Sequence, residues 1–471
     1  MNQENYLKTL ESLNEKQRQA VETIYGPVLV LAGPGSGKTQ LLSARVAHIL
    51  QETDYTAENI LCLTFTDNAA KNMRERLAKM IGHDAYRVNI MTFHSFGNEI
   101  IQKYRAFSKE YSESETLDDI TAYSILDALL EKLSWNHPYK PGFKASETIR
   151  ELLSDIQDLK KSGLSPEKYR AIIENNHETL KKLETLLEKS WQEIDALGQK
   201  KEEKQKKFEL FEVFFMEAQR LVGDMRDGLY GYESLAKPLL STIQETLEQV
   251  QESGSSAPLT TWRNTWTDLS SRNKRRFKEA QKIEKQFALA EVYALYQETL
   301  KQRGYIDFSD MILEAIRLLE NEEVIRLNLA EKYQIIMIDE FQDTNEAQMK
   351  LIDSIASVDS DAPNIFAVGD DDQSIYKFQG ANTKNIKDFT EKYKETELII
   401  LETNYRSHAE IIAVSRGLLS ASQDIGNIFP GAKKEFFAQK GTGGKVQKMV
   451  FATELHEIAF LQQDITQKIA S

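Results

Sequence analysis

The chain has 471 residues, 41% hydrophobic and 28% charged, with 59 Lys+Arg against 73 Asp+Glu for a net charge of −14. That length holds two to four domains of roughly 100–200 residues each, and the apolar content excludes disorder throughout. Net acidity argues against a protein that coats nucleic acid by bulk charge, but a local basic track remains open because screening confines each phosphate contact to its neighbourhood.

No apolar run reaches the length of a membrane helix, and the polar start, MNQENYLKTLESLNEKQ, does not resemble a signal or transit peptide. A single cysteine, Cys62, forms no internal disulfide and no metal cluster. A reducing cytoplasm is the expected location.

In chain order, Val28–Leu31, Ile60–Leu63 and Val88–Met91 read as short buried strands. A polar turn and helical periodicity follow each one, the pattern of a parallel sheet with crossover helices. From about 99 to 290 the chain reads as charged and helical. Leu180, Leu183, Leu187, Trp191, Ile194 and Leu197 recur every three or four residues, which makes one apolar helix face. A helical-bundle core is the simpler reading of that face, and a partner-binding coiled coil the other. The Lys200–Lys207 run reads as solvated.

Late in this region Arg272, Lys274, Arg275, Arg276, Lys278, Lys282 and Lys285 lie near Trp262 and Trp266. They form either a phosphate track or a solvated helix face. Strands resume at Ile335–Ile338, Ile365–Val368 and Leu398–Leu401, and Lys445–Phe451 reads as one more, before a helix over Glu454–Ile469. The expected architecture is α/β: residues 1–98 and 291–394 form one parallel-sheet domain split by a helical insertion at 99–290. Residues 395–471 read as the beginning of a second α/β domain, too short for a closed core: the tail either packs on the first domain or represents a truncated second domain, from a fragment or from a short product that works with another chain.

Ala32-Gly33-Pro34-Gly35-Ser36-Gly37-Lys38-Thr39 follows the first strand and opens a helix. Phosphate binding needs inward backbone N–H groups, close approach and a helix N-terminus, and these residues supply all three. In that loop Lys38 reaches the β/γ-phosphates and Thr39 ligates Mg²⁺. A second acid-bearing strand is needed for the metal, and Tyr333–Glu340 provides it. Asp339 is the candidate to hold Mg²⁺ and Glu340 to orient or deprotonate an attacking water. ATP and Mg²⁺ are therefore the expected cofactors.

The ordered set LNEKQRQAV (13–21), AGPGSGKT (32–39), LTFTDNAAKNMRERL (63–77), TFHSF (92–96), DEFQD (339–343), VGDDDQSIYKFQGA (368–381) and LETNYRS (401–407) closely resembles the Rep/PcrA/UvrD branch of superfamily one DNA helicases. The resemblance covers about half the chain. It implies a RecA-like P-loop domain split by a helical subdomain, the beginning of a second RecA-like domain, and ATP-driven movement on single-stranded DNA or a single/double-strand junction. By the same resemblance Gln17 reads adenine, Gln373 links the γ-phosphate to DNA, Tyr405 stacks on the base and Arg406 contacts the γ-phosphate.

Phe65, His94, Tyr376 and Phe378 match positions along the single-strand path, where stacking tolerates any sequence. Without the resemblance Phe65 and Phe378 read as core residues and His94 as a structural histidine. The chain departs from the family at Gln40, where arginine is usual and an adenine contact is at stake. It departs again at Asp67-Asn68, Asp371, Phe378 and Gln379; Phe378 keeps a stacking face, and together the departures imply weaker DNA contacts than in a typical member. Other readings are a motor within a helicase–nuclease complex and a nucleotide-dependent DNA-binding module without turnover.

Overall fold

Six apolar segments form one parallel sheet: β1 (Val28–Ala32), β2 (Ile60–Thr64), β3 (Asn89–Thr92), β4 (Ile335–Ile338), β5 (Ile365–Gly369) and β6 (Glu397–Leu401), in spatial order β6-β1-β5-β4-β2-β3. The computed structural model describes residues 3–140, 145–198, 200–223, 229–269, 275–356, 358, 362–370, 373, 384–418, 436–443 and 445–470. β1, β2, β4 and β5 are buried at every position. Burial on both faces is why these strands read as unbroken Val/Ile/Leu runs rather than as alternations.

The chain divides into two compact units, residues 1–92, 330–344 and 356–471 in one and residues 93–329 and 345–355 in the other. The sheet lies in the first. Six of the seven strands expected from sequence are present, with ends shifted by a residue or so. Leu398–Leu401 joins a different sheet from the one anticipated. Expected to open a second α/β unit, it runs instead along the edge of the first, pairing Glu397 with Val28 through Leu401 with Ala32.

Lys445–Phe451 is not a strand: it pairs with no neighbour, and Val446, Met449 and Val450 are exposed. An alternating segment becomes a strand only where a partner takes up its backbone groups and one face. The Glu454–Ala470 helix that follows also has no buried residue.

Cys62 sits on β2 at 2% exposure, and burial pushes its thiol pKa up. Reactivity requires an accessible thiolate. The folded chain is therefore expected to give no reaction with a thiol reagent at neutral pH, and one equivalent in denaturant. Rapid labelling of the native chain would contradict the buried strand.

The second unit is helical. Leu180, Leu183, Leu187, Trp191 and Ile194 line the buried face of the Pro166–Asp195 helix. They pack against Phe211, Phe214 and Trp262, and Trp191 stacks on Trp262 with 5.5 Å between ring centroids. This face belongs to the unit's own bundle core, not to a coiled-coil partner. Leu197 lies past the helix end and is half-buried. Residues 201–207, within the run expected to be solvated, form the first turns of the Lys201–Gly223 helix.

A second core in the same unit surrounds a wholly buried ammonium. Lys160 Nζ lies 2.6 Å from Asp307 Oδ2 and 2.8 Å from Asp310 Oδ1, with the rings of Tyr293 and Tyr296 at 6.0 and 5.5 Å. Gln157 and Gln297 donate to the two carboxylates at 2.9 and 2.6 Å. Asp307 also caps the Phe308–Asn321 helix by accepting the Asp310 N–H.

The basic cluster proves to be largely engaged. Arg275 meets Asp195 at 3.3 Å, Arg276 meets Glu184 at 3.5 Å and Lys282 meets Glu279 at 2.8 Å. Lys278 donates to the Asn264 carbonyl at 2.6 Å, and Lys285 lies 5.5 Å from the Tyr139 ring centroid. Trp262 is a core residue. Arg272 and Lys274 lie outside the described residues.

Candidate active site

Parallel strands bring their carboxyl ends to one edge, where open α/β sheets place ligands. Gly33–Gly37 emerges there from β1 and turns into the Lys38–Glu52 helix. Gly35 has φ +71°, and a Cβ at this position would come within 2.6 Å of Arg406 Cβ. Only glycine meets both conditions. Ser36 is buried and its hydroxyl donates to the Gly33 carbonyl at 2.7 Å. Thr39, the expected metal ligand, is half-buried in the first helical turn. Gln40 faces Ser12 Oγ at 3.4 Å, so it braces the N-terminal segment where arginine is usual in the family.

Gln17 lies beside this loop at 5% exposure. Its Nε2 donates to the Ser36 carbonyl at 2.8 Å, and its Oε1 accepts from Asn14 N–H at 3.1 Å. The second bond is half of a capping box that starts the Glu15–Glu22 helix. The amide that would read a base is thus held by the loop and by its own helix. Tyr405 belongs to the same corner. Its N–H donates to the Gly35 carbonyl at 2.9 Å and its hydroxyl accepts from Asn14 Nδ2 at 2.8 Å, with the ring partly exposed. Arg406 is exposed directly over Gly35.

Asp339 follows β4 and is 7% exposed. Burial and the Glu340 charge raise its pKa to about 6, against the pull of Lys38. Glu340 adopts φ +50°, a left-handed conformation that costs a non-glycine residue about 1–2 kcal/mol. That turn aims its carboxylate at Lys38 Nζ, 2.8 Å away. Asp343 is raised to about 6 by burial and by Glu340, and its buried Oδ1 has no hydrogen-bond partner.

Three carboxylates thus share one ammonium, an arrangement short of positive charge that a divalent cation relieves. The donors fit Mg²⁺, which characteristically takes one or two protein oxygens together with phosphate oxygens. Among the described residues no three His, Cys, Asp or Glu side chains make a metal cage by themselves.

Gln373 joins the site through neighbours: its side-chain amide donates to Asp370, whose N–H donates to Gln342 Oε1 at 2.8 Å. The expected phosphate and metal residues therefore converge within one unit. Of the residues expected to stack on a single strand, Phe65 and His94 are described, in different units. Phe65 follows β2 and is 38% exposed, so it is no core residue. His94 lies in the helical unit, 5.4 Å from the Phe308 ring. Tyr376 and Phe378 lie outside the described residues, as do Asp371 and Gln379.

Sequence reasoning missed three supporting residues. Asn404 donates to the Pro34 carbonyl at 2.5 Å and accepts from Arg406 and Ser407 N–H groups, both at 2.8 Å. Arg45 is fully buried, donating to the carbonyls of Ala20 and Ile24 at 2.6 and 3.1 Å, and lies 4.1 Å from the Phe366 ring centroid. Burial lowers its pKa to about 9. It ties the C-terminal end of the Gln17 helix to the phosphate-loop helix, where carbonyls attract a cation. Gln342 is the third.

The protein called ATP-dependent DNA helicase PcrA from Leuconostoc citreum is 24% identical over 457 residues, 97% of this chain and 44% of that protein. Its namesake from Staphylococcus aureus is 27% identical over 456 residues, 97% of this chain and 46% of that protein. The chain therefore spans less than half the length of these relatives. A family model described as the UvrD/REP helicase N-terminal domain matches residues 13–394. The chain belongs to that family.

Proposed function

We propose that the chain is the N-terminal motor part of an ATP-dependent DNA helicase or translocase, coupling Mg-ATP hydrolysis to movement along single-stranded DNA. The observation that carries this reading is the Lys38–Glu340 pair at the mouth of the loop after β1. An ammonium placed for the β/γ-phosphates already holds the carboxylate placed to activate water, and incoming nucleotide exchanges that partner for phosphate.

In this reading Thr39 and Asp339 hold Mg²⁺, which when bound neutralises phosphate charge. Gln17 and Tyr405 flank the adenine, while Gln40 gives up one contact there. Arg406, over Gly35, meets the γ-phosphate, and Gln373 reports its presence. The unit of residues 1–92, 330–344 and 356–471 contains the first RecA-like domain, and the helical unit of residues 93–329 and 345–355 is the insertion, wider than the 99–290 expected from sequence. β6 completes the edge of that domain's sheet, and the residues after it are the candidate start of a second such domain. Motor action needs two domains whose closure depends on the nucleotide.

Fluorescent-nucleotide titration with Mg²⁺ tests the site. Lys38→Ala is expected to weaken binding at least about tenfold, by removing a charge-assisted contact worth 1.5–3 kcal/mol. Unchanged affinity would place the nucleotide elsewhere.

In this reading Phe65, exposed just after β2, contributes a stacking contact to DNA. Phe65→Ala is expected to weaken binding of a single-stranded oligonucleotide by about 1–3 kcal/mol. Joint reversal of Arg275 and Arg276 to glutamate is expected to leave the affinity and its salt slope unchanged, because Asp195 and Glu184 already engage both cations. A flatter salt slope in that variant would make the cluster a phosphate track after all.

A further inference from the structure

Glu340 and Gln373 stand on separate segments, after β4 and after β5, yet a continuous chain of hydrogen bonds joins them. Lys38 Nζ and Gln342 Nε2 both approach Glu340 Oε2, at 2.8 and 2.9 Å. Gln342 Nε2 also reaches Asp343 Oδ2 at 3.3 Å. The other end of the same amide, Oε1, accepts the Asp370 N–H at 2.8 Å. Asp370 in turn receives the Gln373 side-chain amide, and its carbonyl accepts the Gln373 N–H at 3.0 Å.

Gln342 is only 3% exposed, and Asp370 is fully buried. The approach is close: a Cβ at Gly369 would fall 2.7 Å from Gln342 Oε1, so a side chain there would displace that amide.

We infer that Gln342 is a positioning residue that couples the water-activating carboxylate of Glu340 to the segment bearing Gln373, so that a change at either is felt at the other. The inference rests on the nucleotide-hydrolysis reading above and extends it to a residue with no phosphate or metal contact of its own. An amide suits this place because it donates at one end and accepts at the other. A carboxylate there keeps only the acceptor, and a thioether keeps neither. When nucleotide draws Lys38 away from Glu340, Gln342 becomes the remaining side-chain tether on that carboxylate. It holds the carboxylate against β5 instead of releasing it to solvent. Networks of this kind act as units, and removing one member loosens the rest.

The test uses the full chain with Gln342→Met, which removes both bonds at similar volume, and Gln342→Glu, which retains the acceptor for Asp370. Amide exchange is followed with and without Mg·ATPγS in two segments, residues 339–343 and residues 365–370. Steady-state ATP hydrolysis is measured alongside.

In the wild type, the nucleotide analogue is expected to slow exchange in both segments. In Gln342→Met it is expected to bind within about threefold of wild type, to slow exchange only in 339–343, and to be accompanied by a kcat at least about tenfold lower with little change in KM. Gln342→Glu is expected to restore protection of the Asp370 segment without restoring kcat. A packing role alone would lower the unfolding midpoint and affinity together and leave the coupling of the two segments intact. Equal protection of both segments in wild type and Gln342→Met overturns this inference alone. A wild-type chain that binds no ATPγS overturns the nucleotide reading and this inference with it.

Discussion

Replacing Glu340 by glutamine is expected to slow ATP hydrolysis about 10²–10⁴-fold, the usual contribution of a positioned general base, while nucleotide binding is retained or tightened. The direction of the binding effect comes from the Lys38–Glu340 ion pair of 2.8 Å. Nucleotide must break that pair before Lys38 reaches phosphate, and a neutral amide holds the ammonium less strongly. Glutamine keeps the volume and the left-handed turn at residue 340, so the variant isolates charge and proton affinity from shape. Single-turnover hydrolysis and equilibrium binding on the same sample separate the two effects. A fall in affinity at constant turnover would reassign Glu340 to the metal site.

Lys160→Met is expected to destabilise the helical unit by about 3–5 kcal/mol, because it leaves two buried carboxylates without their counter-ion. Lys160 is fully buried beside Asp307 and Asp310. Further replacement of Asp307 and Asp310 by asparagine is expected to recover much of the loss, since the penalty belongs to unpaired charge and Asn still caps the helix. Denaturant unfolding of the single and triple variants measures both.

The pair of carboxylates also sets a pH dependence. Burial and the neighbouring Asp307 raise the Asp310 pKa to about 6, above its unfolded value of about 4. A group raised on folding contributes stability below its unfolded pKa and loses it as pH climbs through the folded one. Asp310→Asn is therefore expected to flatten the stability profile between about pH 4 and 6. An unchanged slope would show that Asp310 stays ionised in the folded chain.

The sheet was legible because each of its strands carries its own signal. A strand buried on both faces is a short run of Val, Ile and Leu whatever its neighbours, and β1, β4 and β5 could be bounded to a residue or so. Which sheet a strand joins is a long-range fact. Leu398–Leu401 looks like any other parallel strand, and only its pairing with Val28–Ala32 assigns it to the first sheet. Lys445–Phe451 shows the converse, since alternation without a partner strand leaves an exposed extended segment.

The site divides in the same way. Glycine spacing and the acid pair after β4 announce phosphate and metal chemistry from sequence, because that chemistry dictates residue types. Gln342, Asn404 and Arg45 act on backbone groups far away in sequence, so nothing local marks them. Gln342 was visible inside DEFQD as a letter, but its bond to Asp370 exists only once β4 and β5 lie side by side. The basic cluster stayed open between a phosphate track and a solvated face for a related reason. Its charge is local and plain in sequence, whereas Asp195 and Glu184, which engage Arg275 and Arg276, are 80 and 92 residues away.

The most direct test of the account is steady-state ATP hydrolysis by the 471-residue chain, with and without a single-stranded DNA oligonucleotide, beside Lys38→Ala. The account predicts Mg²⁺-dependent turnover that rises with DNA and is lost in the variant. Turnover indifferent to both DNA and Lys38→Ala would contradict it.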